Sequence, residues 1–253
     1  MDITYEEAYS RGLPGSDVFV YTHLIYKDDV NRDFGVARLN KEAYTAFTNT
    51  VLFSEYSQLA AEGRLIQDGF MGFMPTIFKR LEYINLENLK ISTGFELCLK
   101  ARLLSQNCIV NQLNAKLPEF GELSKQQKNS PILREEYFAI DGYRYDAQRQ
   151  QNRLIGLKDE SLKFGIILKK PEYKRLLNIP EEIIEIADDY RNLRNQIHFP
   201  GDIVEAPHLI KYNGDVLMRK IQEFINQYIV NENAMIASRH GSVANLCLPE
   251  LIL

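Results

Sequence analysis

The chain has 253 residues, of which 45% are hydrophobic and 25% charged, and its formal net charge is −4 at pH 7. This composition is ordinary for a soluble globular protein and excludes a wholly disordered or collagen-like chain. No apolar run approaches the roughly 18 residues that a membrane span needs. A dedicated nucleic-acid coat protein is usually basic, so the acidic total disfavours that class, although an enzyme with a local basic patch stays open.

The N-terminus indicates the cytoplasm, and the cysteines indicate reduced thiols. The opening stretch MDITYEEAYSRGL carries acids where a signal peptide needs a basic region followed by an apolar one. Cys98, Cys108 and Cys247 occur at unrelated spacings, without a CxxC pair or a Cys/His zinc signature. GxGxxG, Walker A and HExxH motifs are also absent from the sequence. We therefore expect a cytoplasmic protein with reduced thiols, no bound metal and no cofactor.

The hydrophobic pattern of the first half predicts helices. Val18–Tyr26 is rich in β-branched and aromatic residues, which is typical of a short strand or of an apolar segment packed against helices. Residues 28–33 are predicted to form a loop. Apolar residues then recur at helical spacing over 38–62, again from about Pro75, and again from Ser92, where a capping residue precedes the pattern. This predicts three helices.

The second half predicts an insertion followed by two helices. Residues 118–160 contain Asp141-Gly142 between aromatic runs, which is a hairpin signal. A helix is predicted over 180–198, because Pro180 suits a first helical position and a Pro-Gly pair follows the last one. A last amphipathic helix is predicted over about 216–228.

These elements are expected to form a single helical domain. Its predicted segments are an N-terminal extension, a group of helices, an insertion, the motif helix with the helix after it, and a C-terminal tail, over 1–36, 37–117, 118–160, 161–230 and 231–253 respectively. The tail ends in the apolar stretch 246–253, which suits docking onto the body or onto a partner.

The helix predicted over 180–198 carries three side chains that suit phosphate chemistry. At about 100° per residue, Arg191, Arg194 and His198 project within about 60° of one another. An imidazole can move protons near neutral pH, and a guanidinium stays charged and binds phosphate through paired hydrogen bonds. The three residues therefore suit RNA cleavage without a metal, in which His198 transfers protons and arginine stabilises the charged transition state.

The stretch RNLRNQIHF, which contains these residues, resembles the signature of the HEPN superfamily (higher eukaryotes and prokaryotes nucleotide-binding). In that signature an arginine, often followed by a polar residue, precedes a histidine after four to six intervening residues. Arg191, Asn192 and His198 match it at the upper limit of the spacing. Arg194, which is followed by Asn195, is separated from His198 by one residue fewer than the signature requires. Arg194 is therefore an auxiliary candidate.

An earlier segment, GFELCLKARLLSQN, resembles the helix that precedes the Arg/His helix in this family, with Glu96 and Lys100 as the matching residues. The resemblance implies a HEPN-like antiparallel helical bundle that forms a homodimer, in which two Arg/His helices create one composite site. It also implies a metal-independent endoribonuclease of a toxin–antitoxin, phage-defence or RNA-processing system. Other members have lost activity and serve as binding or scaffold modules.

The geometry of the predicted helix and the family resemblance together predict the residues of the site. The catalytic candidates are Arg191, Asn192, Arg194 and His198. Candidates for contact with RNA are Asn195, Lys100, Glu96, Lys169 and Lys170. Each has a structural alternative: His198 suits the C-terminal end of a helix dipole, Arg191 suits an ion pair with Asp188, and Glu96 suits one with Lys100. Lys169 and Lys170 belong to a basic run that is typical of a solvated face.

Two other functions stay open beside the homodimeric endoribonuclease. One is a non-catalytic module in which the same polar cluster holds a dimer or binds a nucleotide. The other is a toxin-like protein held inactive by an antitoxin or another protein partner, which the apolar tail could contact.

Two triplets suggest further chemistry. Asp33-Phe34-Gly35 spells the metal-binding triplet of kinases, and Arg239-His240-Gly241 spells the triplet of histidine phosphatases. We expect neither activity. The first triplet lies too near the N-terminus to follow a nucleotide-binding lobe, and the second closes a helical chain instead of following an early strand.

Overall fold

The computed structural model describes residues 3–48, 70–196 and 214–240. Helices dominate these ranges, so the prediction of a mainly α fold is confirmed. The α-helices of the described ranges are α1 Tyr5–Ser10, α2 Tyr21–Leu24, α3 Asp29–Thr48, α4 Phe70–Ser105, α5 Gly121–Gln127, α6 Arg134–Phe138, α7 Phe164–Lys169, α8 Pro171–Leu177, α9 Glu181–Gln196, α10 Gly214–Ile225 and α11 Asn231–His240. None of these helices combines the length and the apolarity that a membrane crossing requires.

Within the described ranges, the strands are short and form two small antiparallel sheets. They are β1 Ile3–Thr4, β2 Asn111–Leu113, β3 Tyr143–Asp146, β4 Gln151–Leu154 and β5 Leu157–Ser161. The first sheet has the order β1-β3-β4, and the second pairs β2 with β5. Val18–Tyr26, for which strand and packed segment were both open, contributes one isolated bridge at Phe19 and then continues into α2.

The chain divides into two compact units. The first comprises Met1–Arg38, Leu99–Asn178 and Arg239–Ser242, and it contains both sheets. The second comprises Leu39–Cys98, Ile179–Ser238 and Val243–Leu253, and its described part is helical. The motif helix α9 lies in the second unit.

The hairpin of the first unit lies at a different place from the predicted one. Its turn connects β3 to β4, where the side chain of Asp146 accepts hydrogen bonds from the backbone N–H groups of Gln148 and Arg149. Gln150 completes the turn with φ 49°. Asp141-Gly142 instead links α6 to β3, because the Asp141 carboxylate is held by Gly142 N and by Arg144. The prediction of a hairpin turn at Asp141-Gly142 was therefore wrong.

The predicted loop over 28–33 also proved wrong, since α3 already begins at Asp29. Asp28 explains the early start, because its carboxylate accepts hydrogen bonds from the backbone and the side chain of Asn31. An acidic residue before the first turn satisfies an otherwise unpaired N–H group and complements the helix dipole. The predicted continuation of this helix to residue 62 falls outside the described residues from 49 onward.

The two helices predicted from Pro75 and from Ser92 are one continuous helix, α4. Ser92 is fully buried inside it and is not a cap. The intervening stretch carries no proline or glycine that would end a helix, so the second apolar pattern continues the first. The last predicted helix was likewise too short, because a π-helix over Asn226–Val230 joins α10 to α11.

The second unit has an aromatic core. The Phe47 ring lies edge-on to Phe95 at 5.1 Å and to Phe224 at 6.2 Å, while Phe95 and Phe224 are 5.2 Å apart. All three side chains are buried. This cluster fixes the positions of α3, α4 and α10 within the unit, and α9 joins it through Tyr190, whose ring lies 6.4 Å from that of Phe95.

Candidate functional site

Helix α9 presents its apolar stripe to the core and its polar residues beside it. Helical spacing predicts an apolar stripe of Ile183, Ile186, Tyr190, Leu193 and Ile197 on this helix. The first three are buried, Leu193 is half-buried, and Ile197 lies outside the described residues. The carbonyl of Pro180 accepts hydrogen bonds from Ile183 N and Ile184 N, which starts the helix one residue later than predicted. The helix is described as far as Gln196. Because the stripe is anchored, the arginines that follow Tyr190 have a defined direction.

Arg191 lies in a local network on α9. Its Nε donates to Asp188 Oδ1 at 2.6 Å, and its Nη2 donates to Asn192 Oδ1 at 2.7 Å. The Arg191 side chain is only 16% exposed. The ion pair with Asp188 is the structural alternative that its spacing of three residues suggested. The structure thus brings Arg191 and Asn192 together and places a carboxylate on the same guanidinium.

Arg194 connects the motif helix to α4. Its Nη1 donates to Glu96 Oε2 at 2.7 Å, across 98 residues of sequence. The Glu96 side chain is 19% exposed and that of Arg194 is 38% exposed, so this ion pair is partly shielded from water. Both residues of the pair were predicted site residues, although the sequence suggested Lys100 as the partner of Glu96. No local sequence signal marks the Glu96–Arg194 pair, because its members are far apart in the chain.

His198, the predicted proton-transfer residue, lies outside the described residues. Asn195 is exposed on the last described turn of α9. The structure therefore describes the two arginines and the two asparagines of the motif helix, and the role of the histidine stays a prediction.

The predicted lysine contacts lie in the other compact unit. Lys100 is buried, and its Nζ donates to Ser161 Oγ at 2.7 Å. Lys169 is exposed in the last turn of α7, and Lys170 Nζ donates to Asn129 Oδ1 at 2.9 Å. Sequence reasoning did not identify Ser161 as a partner, since it is 61 residues away from Lys100. Lys100 and Lys170 therefore have side-chain partners, and Lys169 is exposed. Contact of these lysines with RNA stays a prediction.

The described part of the site is a set of charge-assisted hydrogen-bond donors held by carboxylates. Two guanidinium groups can bind phosphate oxygens if the phosphate replaces, or shares, the carboxylates of Asp188 and Glu96. Within the described ranges, no group of three His, Cys, Asp or Glu side chains could hold a metal ion.

No protein-family model, curated protein or solved structure matches this chain. The resemblance to the HEPN superfamily accordingly rests on the residues quoted for it.

Proposed function

We propose that the chain is a metal-independent endoribonuclease of HEPN type that acts as a homodimer in the cytoplasm. His198 would transfer protons, Arg191 with Asn192 would bind the scissile phosphate, and Arg194 would assist. The observation that carries this proposal is the contact between the two segments that resemble the family. Glu96 on α4 bonds Arg194 on α9 at 2.7 Å, and Phe95 packs against Tyr190 beside it.

This contact supports the proposal because a helical RNase site needs its arginine in a fixed position. Glu96 restricts Arg194 from one side while the apolar stripe of α9 restricts its backbone from the other. A guanidinium held in this way loses little side-chain freedom when a phosphate arrives. A toxin–antitoxin or phage-defence role, in which an antitoxin or other protein partner blocks the enzyme, is part of the same proposal.

A second candidate is a non-catalytic HEPN module that binds a partner or a nucleotide. The ion pair of Arg191 favours it, because Asp188 already neutralises a guanidinium that is largely buried. An arginine committed to a carboxylate stabilises a helix surface without any ligand. The two candidates differ in whether RNA is cleaved, which one experiment decides.

The deciding experiment is cleavage of end-labelled RNA by the purified protein in EDTA. We expect His198→Ala and Arg191→Ala each to slow cleavage by about 10² to 10⁴-fold, which is the range for a lost acid–base group or charge stabiliser. His208→Ala is the matched control for the histidine and Arg149→Ala for the arginine, and both should cleave at the wild-type rate. The product ends should be cyclic phosphate or 3′-phosphate.

Equal cleavage by wild type and by both site variants would contradict the proposed site. Absence of cleavage in every protein, together with tight partner capture that the Arg191→Ala variant loses, would establish the second candidate. Light scattering should give twice the 29.3 kDa of one chain. A monomer at micromolar concentration would contradict the composite site.

A further inference from the structure

Asp33 is a buried carboxylate that joins two distant parts of the first unit. Its Oδ1 accepts hydrogen bonds from Nε and Nη2 of Arg32 at 3.1 and 2.9 Å. Its Oδ2 lies 3.0 Å from Arg239 Nη1 and 3.0 Å from His240 Nε2. The ring of His240 also packs against Phe34 at 5.8 Å. The tertiary structure thus brings Asp33 and Phe34 of the first triplet together with Arg239 and His240 of the second.

The charges of this cluster do not cancel. Arg32 and Arg134 also bind Asp29, so three arginines share two aspartates when Arg239 is included. Counted over these ion-paired side chains alone, the cluster has one more arginine than aspartate. Burial by itself raises the pKa of Asp33, but the hydrogen bond from His240 and the charges of Arg32 and Arg239 outweigh burial and lower it. Asp33 is thus ionised at neutral pH and already compensated by Arg32.

Arg239 is the arginine of this cluster that is most accessible to solvent. Arg239 is 52% exposed, whereas Asp33 is only 6% exposed. Asp33 engages one terminal nitrogen of Arg239, and within the described residues the remaining guanidinium nitrogens have no further partner. Asp33 also engages Nε2 of His240, which leaves Nδ1 as the ring nitrogen that can meet a ligand. Carboxylate-oriented imidazole and guanidinium donors side by side suit the oxygens of a tetrahedral anion.

We propose that Arg239 and His240, held in place by Asp33, form a binding site for a phosphate ester. Arg239 donates through its unengaged nitrogens, and His240 donates from Nδ1–H when it is protonated. Asp33 is a positioning residue that does not touch the ligand. The site uses no residue of the proposed nuclease site and is independent of that proposal. A terminal phosphate and a backbone phosphodiester of a nucleic acid share the required chemistry.

The test follows the imidazole ¹⁵N resonances of the full chain by NMR at pH 6 and constant ionic strength. The chain has four histidines, so the resonance of His240 is identified by its loss in His240→Gln. One arm adds inorganic phosphate, and the other adds the deoxy dinucleotide TpT, which has one phosphodiester and no 2′-hydroxyl to cleave. We expect a saturable shift of the His240 resonance in at least one arm, and the responding arm identifies the kind of phosphate.

Arg239→Ala should raise the Kd at least tenfold, because it removes the positive charge and the guanidinium donors. The Kd of Arg239→Lys should lie between those of Arg239→Ala and the wild type. Arg149→Ala, which removes another exposed arginine paired to an aspartate, should change the Kd less than twofold. Arg191→Ala should also leave it unchanged, which separates this site from the nuclease site.

The proposal is overturned if the His240 resonance of the wild type responds to neither probe. It is also overturned if Arg239→Ala, folded by circular dichroism, binds as tightly as wild type, or if Arg191→Ala abolishes the response. The titration of the wild type can overturn the proposal without any variant. The proposal is therefore still tested if a substitution unfolds the chain.

Discussion

His23 is a fully buried histidine whose neutral form is built into the first unit. Leu154 N donates to its Nδ1 at 3.1 Å, so Nδ1 is an unprotonated acceptor. Burial, followed by the charge of Arg153, lowers the pKa of His23 to about 4, against a smaller opposing effect of Asp159. Protonation of His23 is therefore less favourable in the folded chain than in the unfolded chain.

This histidine predicts an acid-sensitive stability. Between pH 6.5 and 4 the unfolded chain binds a proton at His23 that the folded chain does not, so the free energy of unfolding falls as pH falls through this window. The loss from this residue approaches about 3 kcal/mol near pH 4 and is absent above about pH 7. Urea unfolding of wild type and His23→Asn across this range measures it. Asparagine keeps an acceptor near the position of Nδ1 but does not titrate, so an identical pH dependence in both proteins would contradict the assignment.

At the scale of elements, the approach of α3 to α4 in the second unit depends on a glycine. A Cβ atom at Gly94 would lie 2.8 Å from two ring atoms of Phe47. The Phe47 ring is fully buried and packed against Phe95 and Phe224, so it has little room to withdraw. The position thus needs glycine even though it lies inside a helix, where alanine is intrinsically better by about 1 kcal/mol.

We expect Gly94→Ala to lower the free energy of unfolding by about 1 to 2 kcal/mol, because overpacking outweighs the gain in helix propensity. The urea midpoint at an unchanged m value measures this effect. Gly121→Ala is the matched control, since a Cβ there meets nothing within 4 Å and the residue begins α5 with helical φ. It should be neutral or slightly stabilising. Equal changes in the free energy of unfolding for the two substitutions would show that the Phe47 ring moves to accommodate the added methyl group.

At the scale of the whole molecule, the described residues of each compact unit include one buried thiol. Cys98 is fully buried in the second unit, and Cys108 is buried in the first. Burial, with a smaller contribution from Glu136, raises the pKa of Cys108 to about 12. The thiolate is the reactive form, so the Cys108 thiol is protected both by inaccessibility and by protonation. Reaction of either thiol therefore reports the opening of its own unit.

In a Cys247→Ser background, we expect each thiol to react with a disulfide reagent at least about 100-fold more slowly in the folded chain than in guanidinium, because labelling requires local or global opening. Cys98→Ala and Cys108→Ala variants separate the two rates. Rapid labelling of one thiol in native buffer, with the other protected, would show that the unit containing the reactive thiol opens readily. Rapid labelling of both would contradict the burial described here.

Local signals in the sequence correctly predicted much of the helical structure. Helical spacing correctly predicted that Ile183, Ile186 and Tyr190 are buried on α9, although Leu193 of the same predicted stripe is only half-buried. The Pro180 signal located the start of the helix within one residue. Such signals succeed because a helix satisfies its backbone hydrogen bonds among near neighbours, so its pattern is complete within the segment. The same reasoning misplaced the hairpin, because Asp-Gly and Asp146 both offer turn chemistry and only strand pairing decides between them.

The sequence by itself therefore determined the mainly helical class, the buried face of the motif helix and the residue types available for phosphate chemistry. Tertiary structure alone decided which of those residues meet. Glu96 reaches Arg194, Lys100 reaches Ser161, and Asp33 reaches Arg239 and His240 across 206 and 207 residues. Partner choice between distant charges depends on how helices pack and which groups are buried together, and periodicity along one segment contains no information about either.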